Sequence, residues 1–174
     1  MKLSLKLEIL ILMTMRLFFL LLMLNLMPTA FCAEGELPAS VDSLYREIIR
    51  TVANADFDAM AATYHGDAVL VTMDNSRPIS SVMPLWKAAG EKHKKAGGSA
   101  FLNFRFSSRL SSGGTTFDTG IFRYGTRDRQ GVEKLSYTHF QDLTVKKNNQ
   151  WTTLMERQMG NASLAEWDAL PAWK

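Results

Sequence analysis

From Phe101 to Met159 the chain alternates apolar and polar side chains in four stretches separated by turn-forming residues, and no other feature narrows the choice of fold as far. Phe101 to Leu110 alternates aromatic and polar residues, and Ser111-Ser112-Gly113-Gly114 follows as a turn. Thr116 to Tyr124 reads as the next strand, ended by the polar connection Thr126 to Gly131. Leu135 to Val145 is a long strand, and Lys147-Asn148-Asn149-Gln150 turns it into a last one from Trp151 to Met159. Strands joined by such short links pair antiparallel, and a sheet of this kind buries one face.

The cover comes from the residues before Gly98. Ser40 or Asp42 caps a first helix with Leu44, Ile48, Ile49 and Val52 at helical spacing. Asp56 caps a shorter second helix carrying Phe57, Met60 and Tyr64, ended by His65-Gly66-Asp67. Ala68 to Met73 reads as a buried strand, closed by Asp74 to Pro78. A third helix starts at Ser80 or Ser81, with Val82, Leu85, Trp86, Ala89 and His93 on a stripe and a basic far side from Lys87 to Lys95. Three helices interleaved with one strand, then four hairpin-linked strands, predict an α+β fold. In it a cone-shaped, strongly curved antiparallel sheet wraps around the N-terminal helices and leaves a cavity at its open end.

The N-terminus has a different character. Lys2, Lys6 and Arg16 precede the apolar run Leu17 to Met27, and Met27-Pro-Thr-Ala-Phe-Cys-Ala-Glu34 follows. This is the order of a secretory signal, cut after Cys32 or Ala33. The unbroken run is about 11 residues, short of a membrane span. The expected organisation is a signal over 1–33, a linker over 34–41, the domain over 42–160 and a tail over 161–174, giving a secreted or periplasmic protein. Cys32 is the only cysteine, so the domain cannot form an internal disulfide, and it has no thiolate zinc site or cysteine nucleophile unless Cys32 is retained and recruited. The leader holds three cations and one anion, which leaves the rest of the chain at +1 and gives no support for nucleic-acid binding.

Four segments resemble the nuclear transport factor 2-like superfamily, which includes ketosteroid isomerase and the SnoaL-type polyketide cyclases. Asp56-Phe57-Asp58-Ala59 with Tyr64-His65-Gly66-Asp67-Ala68 looks like the family's junction of second helix and first strand. Phe117 to Phe122 looks like its "x-D/E-x-G-x-Y/F" strand, Phe140 to Trp151 its "Y-T-x-V-x-V-K-x-x-G-x-W" hairpin, and the serine-led helix with Trp86 its third helix. Together they span residues 42 to 159. The resemblance implies the fold, but this fold hosts enzymes and binding modules alike. On the same alignment Ile48 falls where ketosteroid isomerase has its oxyanion tyrosine, and a hydrocarbon there donates nothing.

The polar residues of the concave face are then the candidates. Leu143 and Val145 are the apolar alternates of their strand, so the inward row is expected to be Tyr137, His139 and Gln141. His139 is the candidate acid or base, with Asp118 beside it if its strand has that phase. Tyr64, Trp86, Tyr137, Gln141 and Arg157 are candidate ligand contacts. Three histidines in three elements, without ligand spacing, imply no metal, and no cofactor is expected. The expected function is an accessory or binding module for a small hydrophobic molecule. The alternatives are an isomerase-, cyclase- or dehydratase-like enzyme using His139 and Asp118, and a homodimer in which outward residues such as Phe140 are buried between subunits.

Overall fold

The computed structural model describes residues 39–173; the expected signal over 1–33 and its cleavage site lie outside the described residues. Helix α1 (Ala39–Asn54) is followed by α2 (Phe57–Ala62), β1 (Tyr64–Val71), β2 (Ser76–Pro78) and α3 (Ile79–Lys95). Then come β3 (Ser99–Ser112), β4 (Thr115–Arg127), β5 (Glu133–Lys147), β6 (Gln150–Asn161) and α4 (Leu164–Ala169). One sheet holds all six strands in the order β2-β1-β6-β5-β4-β3. The arrangement is α+β as expected, with one correction. The sheet is mixed, because β1 pairs parallel to β6 while every other pair is antiparallel.

Asp56 caps α2 by accepting from the Ala59 N–H, as its position predicts. Tyr64, expected at the end of that helix, instead opens β1. Helix α3 begins at Ile79, before either serine, and buries Ile79, Val82 and Met83, while Leu85 stands in solvent. The tail contains a helix closed at its start by a capping box between Ser163 and Glu166.

Two apolar clusters form the interior. Val41, Leu44, Tyr45 and Ile48 of α1 pack on Leu102, Phe104, Phe106, Phe140 and Trp151 of the sheet. Met60, Ala68, Leu70, Ile79, Val82 and Met83 make the second cluster, and Val52 packs against both. The rings of Phe104 and Phe140 meet edge to face at 5.4 Å. Phe140 is 1% exposed in this core, so the expectation that it faces outward into a dimer interface is corrected.

Bulges decide which side chains face this interior. Phe106 pairs with Gly120 but Ser108 with Thr119, so Ser107 is an extra residue in β3. The alternation shifts by one there, and Arg109 turns to the inner face opposite Asp118. In β6, Thr153 pairs with Thr144 and Met155 with Leu143, so Leu154 is extra. Trp151 and Thr153 face inward before this bulge; after it, Glu156 and Gln158 do.

Candidate functional site

A cavity of about 770 Å³ opens between the two clusters. Ile48, Val52, Phe57, Met60, Trp86, Leu102, Phe104, Phe122 and Phe140 give it apolar walls. Gly90 on α3 has no Cβ because the ring of Phe57 occupies that space, at 2.1 Å from where a Cβ would stand. Along β5 the lining runs Ser136, Thr138, Phe140, Asp142, from exposed to buried, so the Asp142 end is the inner one. At the outer end are Tyr124, Thr126, Lys94 and His93. The His93 imidazole lies 3.1 Å from the carbonyl of Ser99 and 3.2 Å from that of Arg127. Lys94 Nζ donates to the carbonyl of Asn54.

Carboxyl groups dominate the inner end. Asp142 and Glu156 are direct cross-strand partners and both line the cavity. Such pairs place their Cβ atoms about 4.5–5.5 Å apart, where like charges repel. Glu156 accepts from the Tyr64 hydroxyl through Oε2 at 2.5 Å and from Gln158 Nε2 through Oε1 at 2.7 Å. Asp142 is 5% exposed. Burial first, then the charges of Glu156 and Asp118, push its carboxyl well above the usual carboxylate range, against the opposing hydrogen bond with Tyr45. Burial and the neighbouring Glu156 likewise raise Tyr64 above the ordinary phenol range.

Behind this end lies a closed polar network. The buried Tyr45 hydroxyl donates to Asp118 Oδ2 at 2.8 Å and stands 3.3 Å from Asp142 Oδ2. A phenol has one proton and cannot serve both acceptors. With that proton on the nearer Asp118, the contact to Asp142 is satisfied when Asp142 carries its own proton on Oδ2. Arg109 Nε donates to Asp118 Oδ1 at 3.0 Å and its Nη1 to Asp42 Oδ1 at 2.6 Å, with the guanidinium 4.2 Å over the Phe106 ring. Asp118 is fully buried and already paired, and it does not line the cavity.

The structure separates the residues expected to act together. Tyr64 and Trp86 lie on the cavity wall. The inward phase expected for Tyr137, His139 and Gln141 is reversed: the inner row of β5 is Thr138, Phe140, Asp142 and Thr144. His139 lies on the other face of the sheet, where its Nε2 meets Glu166 of α4 at 3.2 Å. Tyr137 packs on Trp167 of the same helix, with ring centroids 5.7 Å apart. Gln141 accepts from Arg157 Nη1 at 3.0 Å on that outer face. The apolar alternates Leu143 and Val145 are only half-buried, whereas the inner row is partly polar because Asp142 and Thr144 serve the network behind it. Arg157 is turned outward by the bulge at Leu154, which gives its expected place to Glu156.

Asp142 and Tyr45 are not among the residues expected at the site, and of the pair Arg157 and Glu156, on opposite faces of the last strand, it is Glu156 that reaches the cavity. An aspartate in the middle of an apolar strand is the signal that was available, since Asp is depleted in strands. Two such residues, Asp118 and Asp142, stand opposite each other in register. Among the described residues, no three His, Cys, Asp or Glu side chains group to hold a metal ion, and no helix is long and apolar enough to cross a membrane.

This architecture, a mixed sheet folded over helices around a hollow, is the nuclear transport factor 2-like fold, also described as cystatin-like and ketosteroid isomerase-like. Solved structures of low sequence identity share it. An NTF-2-like protein of unknown function from Shewanella oneidensis superposes with a TM-score of 0.56 at 15% identity, covering 70% of this chain and 98% of that one. A ketosteroid isomerase-like protein from Erwinia carotovora gives 0.53 at 15% identity, covering 74% and 98%. A protein with a cystatin-like fold from Caulobacter vibrioides gives 0.55 at 10%, covering 73% and 90%. No protein-family model matches the sequence, and no curated protein matches it significantly.

Proposed function

We propose that this is an exported binding domain for a small, largely hydrophobic molecule held in the cavity, with its polar end at Asp142 and Glu156. The observation that carries the reading is the cavity itself. About 770 Å³ of space has mainly apolar and aromatic walls and a few convergent polar groups at its buried end, which is the usual make-up of a ligand site. Export rests on the N-terminal pattern of charge, apolar run and small residues. Native mass spectrometry of the purified protein, before and after organic extraction, tests the binding role. A mass released by extraction supports it; failure to retain or take up any hydrophobic probe overturns it.

A second reading is favoured by one observation. A carboxyl pushed well above the usual carboxylate range by burial, facing a second carboxyl group across one strand pair, suits an acid–base couple. In an isomerase- or cyclase-like enzyme, Asp142 and Glu156 rather than His139 and Asp118 would move the proton. Turnover of an enolisable substrate that falls at least about tenfold in Glu156→Gln would favour this reading over simple binding.

A further inference from the structure

We propose that the molecule bound in the cavity is a hydrophobic amine, its ammonium group seated between Asp142 and Glu156. The inference rests on the cavity being a ligand site and adds the chemical class. Three observations support it, each independent of the cavity's volume.

The first is an orphaned acceptor. Asp142 is buried to 5% exposure and lines the cavity, yet its Oδ1 has no hydrogen-bond partner. Its Oδ2 is committed to Tyr45. With the Asp142 proton on Oδ2, Oδ1 is a bare carbonyl oxygen; with the group ionised, it is half of a carboxylate. In both states it accepts and does not donate. A buried acceptor left unmatched costs about 1–3 kcal/mol, so the missing partner is a donor.

The second is charge. Arg109, the cation of the inner network, is bonded to Asp118 and Asp42. Among the described residues no Lys, Arg or His nitrogen forms an ion pair with Asp142 or Glu156. The donors that reach Glu156, Tyr64 and Gln158, are neutral. At the outer end, Lys94 is tied to the backbone carbonyl of Asn54, and the His93 imidazole meets those of Ser99 and Arg127. The inner end therefore carries uncompensated negative charge.

The third is the fit of donor number and wall chemistry. An ammonium brings three N–H donors, no acceptor and the missing positive charge. A hydroxyl brings one donor and leaves the Glu156 charge unmatched. A carboxylate or phosphate would add a further negative charge. Phe57, Trp86, Phe104, Phe122 and Phe140 surround the apolar skeleton and offer ring faces that tolerate a cation.

Three probes on one skeleton test this: 4-phenylbutylamine, 4-phenylbutan-1-ol and 4-phenylbutyrate, titrated calorimetrically into the full-length purified protein at neutral pH. The amine is expected to bind about tenfold or more tighter than the alcohol, the gain of one charge-assisted hydrogen bond, with the carboxylate weakest. Glu156→Gln should narrow the gap between amine and alcohol to less than about threefold. If that variant does not fold, Asp142→Leu, which removes the orphaned acceptor and packs the site, carries the same comparison. An alcohol that binds as tightly as the amine overturns the amine assignment while the hydrophobic site stands. Binding of none of the three, together with no uptake of a neutral hydrophobic dye, overturns both.

Discussion

Asp142 makes the stability of the fold depend on pH. Its carboxyl titrates well above the usual range in the folded chain and at an ordinary value in the unfolded one. Between those two values the folded state binds more protons than the unfolded state, so stability falls as pH rises through this window. Below the unfolded value both states are protonated and the penalty vanishes. Melting temperatures from pH 4 to pH 8 should therefore decline more steeply in the wild type than in Asp142→Asn, which has no proton to lose; equal slopes would refute the shift. Arg109 acts in the opposite sense. It is bonded to the fully buried Asp118, and truncating it leaves that carboxylate without its counter-charge. Arg109→Met should cost about 3–5 kcal/mol in urea unfolding. Asp118→Asn made in the Arg109→Met background should recover part of that loss, because the stranded charge has gone.

At the level of elements, the bulges govern what the sheet presents. Deleting Leu154 would restore strict alternation in β6 with Met155 still opposite Leu143 and Glu156 still opposite Asp142, so Glu156 would stay inward and Arg157 outward. The deletion variant should therefore bind a hydrophobic probe within about threefold of the wild type; a loss of more than about tenfold would refute this account of the bulge. These same bulges explain what could be read from the amino-acid sequence. Helix caps, hairpin turns and the division into a helical front and a stranded rear follow from local chemistry, and Asp56 and the Lys147–Gln150 turn were legible for that reason. Phase was not. A one-residue insertion flips every later side chain, and neither Ser107 nor Leu154 is marked by glycine or proline. In β5, which has the opposite trouble, Leu143 and Val145 look like the buried row while Asp142 and Thr144 hold it, because Tyr45 and Thr116 reach across to bond them. Long-range hydrogen bonding overrode hydrophobicity, and it is invisible from one strand. The outer face is likewise covered by a tail element. Trp167 is 3% exposed beneath Arg105 and Arg123, which stack on it at 4.6 and 5.3 Å.

Across the whole domain, the cavity is the space two apolar clusters leave by not merging. Its wall takes Ile48, Leu102, Phe104 and Phe140 from one cluster and Met60 from the other. An interior left open forgoes packing contacts, since van der Waals attraction vanishes where there is no partner atom. A fold retained only for its own stability gains by closing such a gap, and a fold that binds a ligand does not. Thr138 discriminates the two, because it lines the cavity midway along β5 and pairs across the sheet with Phe122. Thr138→Phe places a ring in the hollow beside an existing one and should raise stability by about 0.5–2 kcal/mol, the range for cavity-filling changes. The same ring would occupy the ligand's path to Asp142, so affinity for a hydrophobic probe should fall at least about tenfold. In the wild type, probe at 100 times its dissociation constant should add about 2.7 kcal/mol to stability by mass action, and at the same concentration Thr138→Phe should gain no more than about 1.4 kcal/mol. Stabilisation without loss of binding would mean that the molecule sits elsewhere. Loss of both would mean that the added ring does not fit the hollow.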